Sequence, residues 1–125
     1  MKTVINTPNA PAPIGPYNQA IKANGFIFLS GQVAIEPETG IVILSSIAEE
    51  THQVMKNIQA VLKAADSNLG NVVMSTIFLS DMNHFSIVNE VYSAYFISNY
   101  PARATVAVKT LPKNVNVEIS VIAAE

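Results

Sequence analysis

Arg103 and Glu118 are the side chains of this sequence whose types and settings could do chemistry. Arg103 lies in Pro101-Ala102-Arg103-Ala104-Thr105, at the head of the β-type run Thr105-Val106-Ala107-Val108. A guanidinium stays charged and carries five N–H donors in a planar fork that matches a carboxylate or phosphate, so it is rarely set beside apolar strand residues without a partner. Glu118 falls inside Val115 to Ile122, a run of β-branched residues where an acid is out of character. In a chain with only 13% charged residues, both need a reason. One reason is a buried or interfacial Arg–Glu pair that ties two strands together. Structural ion pairs outnumber catalytic ones, so the residues alone favour it. The other is a site in which Arg103 clamps an anionic small molecule and Glu118 positions one water, with Tyr17 and a few hydroxyls nearby. A small carboxylic acid as ligand is as far as these residue types reach.

The elements that must position them follow from periodicity and punctuation. Thr3 to Asn6 reads as a short strand. The loop Asn9 to Pro16 carries three prolines and a glycine, which fix its path, so it is either a plain connector or a wall presenting Tyr17. Tyr17 to Ala23 and Phe26 to Gly31 read as a hairpin around Asn24-Gly25, a pair suited to a two-residue turn. Ser46 followed by Glu49 is a capping-box pattern that opens a helix. Its apolar stripe is Ile47, Thr51, Val54, Met55, Ile58, Val61, Leu62 and Ala65. Val72 to Ser80 is a strand, and Asp81 opens a second helix with Phe85, Val88, Tyr92, Tyr95 and Phe96 spaced to pack on a sheet. Tyr100-Pro101 breaks it. Strands Ala104 to Lys109 and Val115 to Ala123 close the chain around the turn Leu111 to Asn114. In the last strand Val115, Val117, Ile119 and Val121 alternate with Asn116, Glu118 and Ser120, so the second set leaves the core face. The order β, ββ, α, β, α, ββ gives an α+β domain with helices on one face of a mixed sheet. Whether Arg103 shares the face of Glu118 depends on register, which the sequence leaves open.

Composition narrows the function. The 125 residues make one domain, 1–125. Half of them are hydrophobic and the mean hydropathy is +0.32, more apolar than a lone domain of this size needs, which points to an oligomer. A net charge of −2 and a pI near 5.6 give no basic footprint for nucleic acid. With no cysteine there is no disulfide, thiolate nucleophile or Cys-based metal site. Neither a signal peptide nor an apolar stretch of membrane-spanning length is present, so a cytoplasmic location is expected. There is no Gly-rich phosphate loop, no Gly-x-Ser-x-Gly elbow and no His-Glu-x-x-His. His52 falls on the polar face of the first helix and His84 at the start of the second, neither with metal-binding company.

Five motifs follow one another along the chain: Ala12-Pro13-Ile14-Gly15-Pro16-Tyr17, Phe28-Leu29-Ser30-Gly31-Gln32, Asn89-Glu90-Val91-Tyr92, Pro101 to Val106, and Leu111-Pro112-Lys113 with Val117-Glu118-Ile119. In this order and spacing the chain resembles the RidA/YjgF family of reactive-intermediate deaminases over essentially its whole length. The resemblance implies a chorismate-mutase-like α+β domain, assembled as a homotrimer with sites between subunits. It implies hydrolysis of 2-imino acids or their enamines, such as 2-iminobutanoate and 2-aminoacrylate, to 2-keto acids and ammonia. No cofactor is implied; the substrates are released by pyridoxal-phosphate enzymes such as threonine and serine dehydratases. By position, Arg103 would grip the substrate carboxylate and Glu118 would hold the attacking water. Tyr17 would close the pocket, with Ser30, Gly31, Asn89 and Thr105 in support. Many relatives carry cysteine where this chain has Thr105; threonine is equivalent there if the backbone is what matters.

Two other functions stay open. The same cleft in a regulatory protein could sense a keto acid without turning it over, but a binder needs Arg103 and not a water-holding acid. Ribonuclease or translation-inhibitor activity also occurs within the resemblance, and the acidic balance argues against it.

Overall fold

A computed structural model describes residues 1–125. Six strands form one sheet: β1 (Thr3–Ile5), β2 (Ala20–Ala23), β3 (Phe26–Leu29), β4 (Val72–Leu79), β5 (Ala102–Ala107) and β6 (Val117–Ala124). Their order across the sheet is β1-β2-β3-β6-β4-β5. Only β4 and β5 run parallel, because the connection between them is a crossover through helix α2 (Phe85–Ala94). Helix α1 (Ile47–Ala64) joins the two hairpin strands β2 and β3 to β4. The mixed α+β architecture expected from the element order is the one observed.

The local signals act as chemistry requires. Asn24 and Gly25 adopt φ of 51° and 81°, the positive values that a tight hairpin turn of this hand needs. Ser46 caps α1 by accepting a hydrogen bond from the Glu49 N–H at 3.1 Å. The Glu49 carboxylate takes the Ser45 hydroxyl instead of completing the box. Asp81 caps a single 3₁₀ turn, Met82–His84, and α2 proper begins at Phe85.

Several boundaries differ from expectation by a few residues, and three strand starts bear on the site. β2 starts at Ala20 and not Tyr17: beyond the Ala20–Leu29 pair one backbone bond follows, Ser30 N–H to the Gln19 carbonyl at 2.9 Å, and Ser30 Oγ then donates to the Asn18 carbonyl at 2.6 Å. β5 already pairs at Ala102, and β6 begins only at Val117 after a tight 3₁₀ turn, Pro112–Asn114.

One core lies between sheet and helices. Ile27, Ile77, Leu79, Val117, Ile119 and Val121 from the strands are buried in the same cluster as the apolar stripes of α1 and α2. Alternating residues therefore turn the other way, and that second face has no helix over it. Phe28 remains 43% exposed there, paired across from Ile122. No helix is long and apolar enough to cross a membrane.

Candidate functional site

Register decides how the two polar side chains relate. Arg103 pairs with Ser75 and Thr105 with Ile77 across the β4–β5 ladder, and Ser75 and Ile77 are buried under the helices. Glu118 pairs with Phe78 across the β4–β6 ladder, on the alternate phase from Ile77–Ile119. Cross-strand partners share a face and successive residues alternate, so Arg103 and Glu118 emerge from opposite faces of the sheet. Two strand spacings of about 4.8 Å and three residues of about 3.3 Å put their Cα atoms about 14 Å apart. The structural pair that residue types alone favoured is therefore absent from this chain. Its one salt bridge joins Lys22 to Glu125 at 3.5 Å, near the far edge of the sheet.

Glu118 lies in a cleft of about 370 Å³ with Tyr17, Ser30 and Gly31. A Cβ built on Gly31 would fall 2.5 Å from Glu118 Oε2 and 2.8 Å from its Cδ, so glycine is what leaves room for the carboxylate. Burial raises the Glu118 pKa above its ordinary value, and no cation within salt-bridge reach counters it. Ser30 commits its proton to the Asn18 carbonyl, leaving only its oxygen lone pairs for a ligand. Tyr17 stands at the rim, 48% exposed.

The walls of this cleft are pinned by residues that sequence reasoning did not single out. Gln19, 2% exposed, donates from Nε2 to the carbonyls of Thr7, Ala10 and Pro11 and accepts from the Thr7 N–H, which holds the proline-rich loop in place. Asn57 ties α1 to the carbonyls of Val33 and Ile35 at 3.0 Å each. Glu50 is wholly buried; its carboxylate accepts from the backbone N–H groups of Asn116 and Val117 and from Asn116 Nδ2, at 2.7, 3.0 and 2.9 Å. That clamp stands between α1 and the start of β6, two residues ahead of Glu118. It also steadies the preceding turn, where Lys113 and Asn114 both take positive φ, a costly conformation away from glycine. A signal for Glu50 and Asn57 was present: both occupy apolar-stripe positions of α1, four residues before Val54 and Val61. Gln19 carries no such mark.

Arg103 opens onto a second cavity, of about 510 Å³, together with Asn89 and Tyr92. Its Nη1 donates to Asn89 Oδ1 at 2.7 Å, and its Cζ lies 5.5 Å from the Phe85 ring and 5.3 Å from the Tyr92 ring. Tyr92 itself donates to Ser75 Oγ at 2.9 Å. Burial raises its phenol pKa, against smaller lowering effects from Ser75 and Arg103. Thr105 shares this side of β5, but its hydroxyl is shut off from solvent and has no hydrogen-bond partner. The seven expected residues thus fall into two groups: Tyr17, Ser30, Gly31 and Glu118 in one cleft, Arg103, Asn89 and Thr105 on the other face. No three His, Asp or Glu side chains come together as metal ligands would.

The architecture is thus a mixed six-stranded α+β sheet with an acid cleft on one face and an oriented guanidinium on the other. A family model described as Endoribonuclease L-PSP matches residues 7–125. A RutC family protein of Pyrococcus horikoshii is 51% identical over 123 residues, 98% of each chain. The 2-iminobutanoate/2-iminopropanoate deaminase of Homo sapiens is 44% identical over 123 residues, 98% of this chain and 90% of the human one. A Rid family protein of Yersinia pestis superposes with a TM-score of 0.98 at 48% identity, over the whole of both chains. The chain belongs to the RidA/YjgF family.

Proposed function

We propose that this protein hydrolyses 2-imino acids and their enamine tautomers to 2-keto acids and ammonia, in sites that two copies of the chain complete together. The observation that carries this reading is the division of the site. An imino acid held through its carboxylate, with a water poised about 3 Å from its imine carbon, is far smaller than the separation of Arg103 and Glu118, and the sheet stands between them. A cleft in which Glu118 has no cation within salt-bridge reach, although Lys113 lines the same cleft, and an Arg held without an acid are complementary halves. Joining the Arg half of one copy to the Glu half of the next is a head-to-tail contact, which closes only as a ring. Three copies per ring is the assembly we assign, and the helix-free face of the sheet, with Phe28 exposed, supplies apolar surface for it.

In such a site the free N–H groups of Arg103 pair with the substrate carboxylate and fix the imine carbon. Glu118 accepts a proton from water as its oxygen adds to the protonated C=N carbon. The resulting carbinolamine takes that proton back on nitrogen. Ammonia then leaves as Glu118 takes the hydroxyl proton and the C=O bond forms; that proton departs with the ammonia as ammonium, so one water is consumed and Glu118 is regenerated. A raised Glu118 pKa suits a group that must both take and give a proton near neutral pH. The human relative's name supports the substrate class, and pyridoxal-phosphate dehydratases are the enzymes that would supply it. The endoribonuclease description of the family model is the competing reading. A net charge of −2 and an Arg103 already engaged by Asn89 and the Phe85 and Tyr92 rings count against an RNA track.

The test is a coupled assay. A threonine or serine dehydratase generates 2-iminobutanoate or 2-aminoacrylate, and this protein should speed its loss. Arg103→Ala should abolish the acceleration. Full activity in that variant, or cleavage of RNA with no effect on the imine, would overturn the assignment.

A further inference from the structure

Phe85, Asn89 and Tyr92 stand four and three residues apart on α2, which makes them one stripe of the helix. All three meet the same guanidinium, two with ring faces and one with an amide oxygen. Tyr92 is itself locked, because its hydroxyl donates to Ser75 Oγ and both residues are buried. Ser75 is the residue directly beside Arg103 in the β4–β5 ladder, so the contacts close on themselves. The arrangement answers a problem of placement. β5 is an edge strand and Arg103 is exposed on it. A long, free side chain there would lose rotamer freedom whenever a ligand bound, and affinity with it.

What holds Arg103 is also chemically selective. An amide, two aromatic rings and a serine hydroxyl are neutral, and the chain's one salt bridge lies elsewhere. An acid at the position of Asn89 would orient the guanidinium equally well, but it would neutralise the charge and compete for its donors. We propose that α2 is a neutral cradle. Phe85, Asn89 and Tyr92 are positioning residues that fix the plane of Arg103 while leaving its charge unpaired, which reserves it for an incoming carboxylate. This rests on the reading of Arg103 as the substrate clamp and names how that clamp is kept ready.

The experiment combines steady-state kinetics in the coupled assay with calorimetric binding of 2-oxobutanoate, a stable 2-keto acid. Asn89→Asp keeps size and acceptor, so it should fold at least as well as the parent. It should raise KM and the 2-oxobutanoate Kd by about tenfold or more while kcat stays within about twofold, the pattern of lost uniform binding. Phe85→Leu keeps apolar bulk and removes the ring, and should raise both constants roughly three- to tenfold. Phe85→Tyr, which restores a ring, should recover at least half of that loss. Asn89→Asp with an unchanged Kd and KM would overturn the cradle, as would equal losses in Phe85→Leu and Phe85→Tyr. Wild-type protein that is folded but neither binds 2-oxobutanoate nor consumes the imine would overturn the functional reading itself, a separate outcome.

Discussion

Two inactive variants should restore each other if the site is divided between copies. Arg103→Ala removes the carboxylate clamp and Glu118→Gln removes the proton acceptor, and each alone leaves every site one group short. Loss of general acid–base help is worth 10²- to 10⁴-fold, so Glu118→Gln should retain about 1% activity or less. Mixing the two changes the count. In a head-to-tail ring, a site is whole when the copy giving Arg103 is the Glu118→Gln chain and its neighbour giving Glu118 is the Arg103→Ala chain. With equal amounts and random assembly each condition holds half the time, so about a quarter of sites recover, whatever the number of copies in the ring. Subunits would be exchanged by brief denaturation and refolding, with mixed rings confirmed by native mass spectrometry, and turnover read in the coupled assay. A mixture at about 25% of wild-type activity is the expected result. If mixed rings form and activity stays at the level of the parents, the two groups do not meet between copies. Since opposite sheet faces separate them within one chain, the division of roles proposed for Arg103 and Glu118 would then fall.

Three other outcomes are expected. Gly31→Ala places a methyl group where the Glu118 carboxylate now lies, 2.5 Å from Oε2, and should lower kcat ten- to a hundredfold through displacement on the order of 1 Å, with little change in melting temperature; unchanged kcat would show that the carboxylate position is immaterial. Because burial raises the Glu118 pKa, the basic form needed to accept a proton is lost at higher pH than for an ordinary carboxylate. The acid limb of kcat/KM should therefore lie at higher pH than an ordinary glutamate would give and vanish in Glu118→Gln; a limb at or below that of an ordinary glutamate would contradict this. Thr105→Val removes a buried hydroxyl that makes no hydrogen bond and keeps the shape, so it should stabilise the protein by about 1 kcal/mol in urea unfolding, whereas a loss of that size would mean the hydroxyl has a partner.

The sequence by itself determined the elements and the identity of the reactive groups. Asn24-Gly25 set a hairpin because that pair accepts two positive φ values in a row at little cost, and Ser46 opened α1 because its oxygen can take an otherwise unpaired N–H. The alternation from Val117 to Val121 correctly turned Glu118 away from the core, since side chains along a strand change face at every step. The five motifs, read together, identified the family. The relation between Arg103 and Glu118 was beyond reach. It hangs on two ladder registers, Ser75–Arg103 and Phe78–Glu118, and a one-residue slip in either would reverse a face without altering the hydrophobic pattern of β5. Tertiary structure also chose the supports. Glu50 reaches the amides of Asn116 and Val117 sixty-six and sixty-seven residues away, and Gln19 gathers three loop carbonyls, contacts that only the folded path of the backbone creates. Arg103 drew attention first as half of an ion pair. In the folded chain it stands instead among neutral groups on α2, on the face of the sheet opposite to its expected partner.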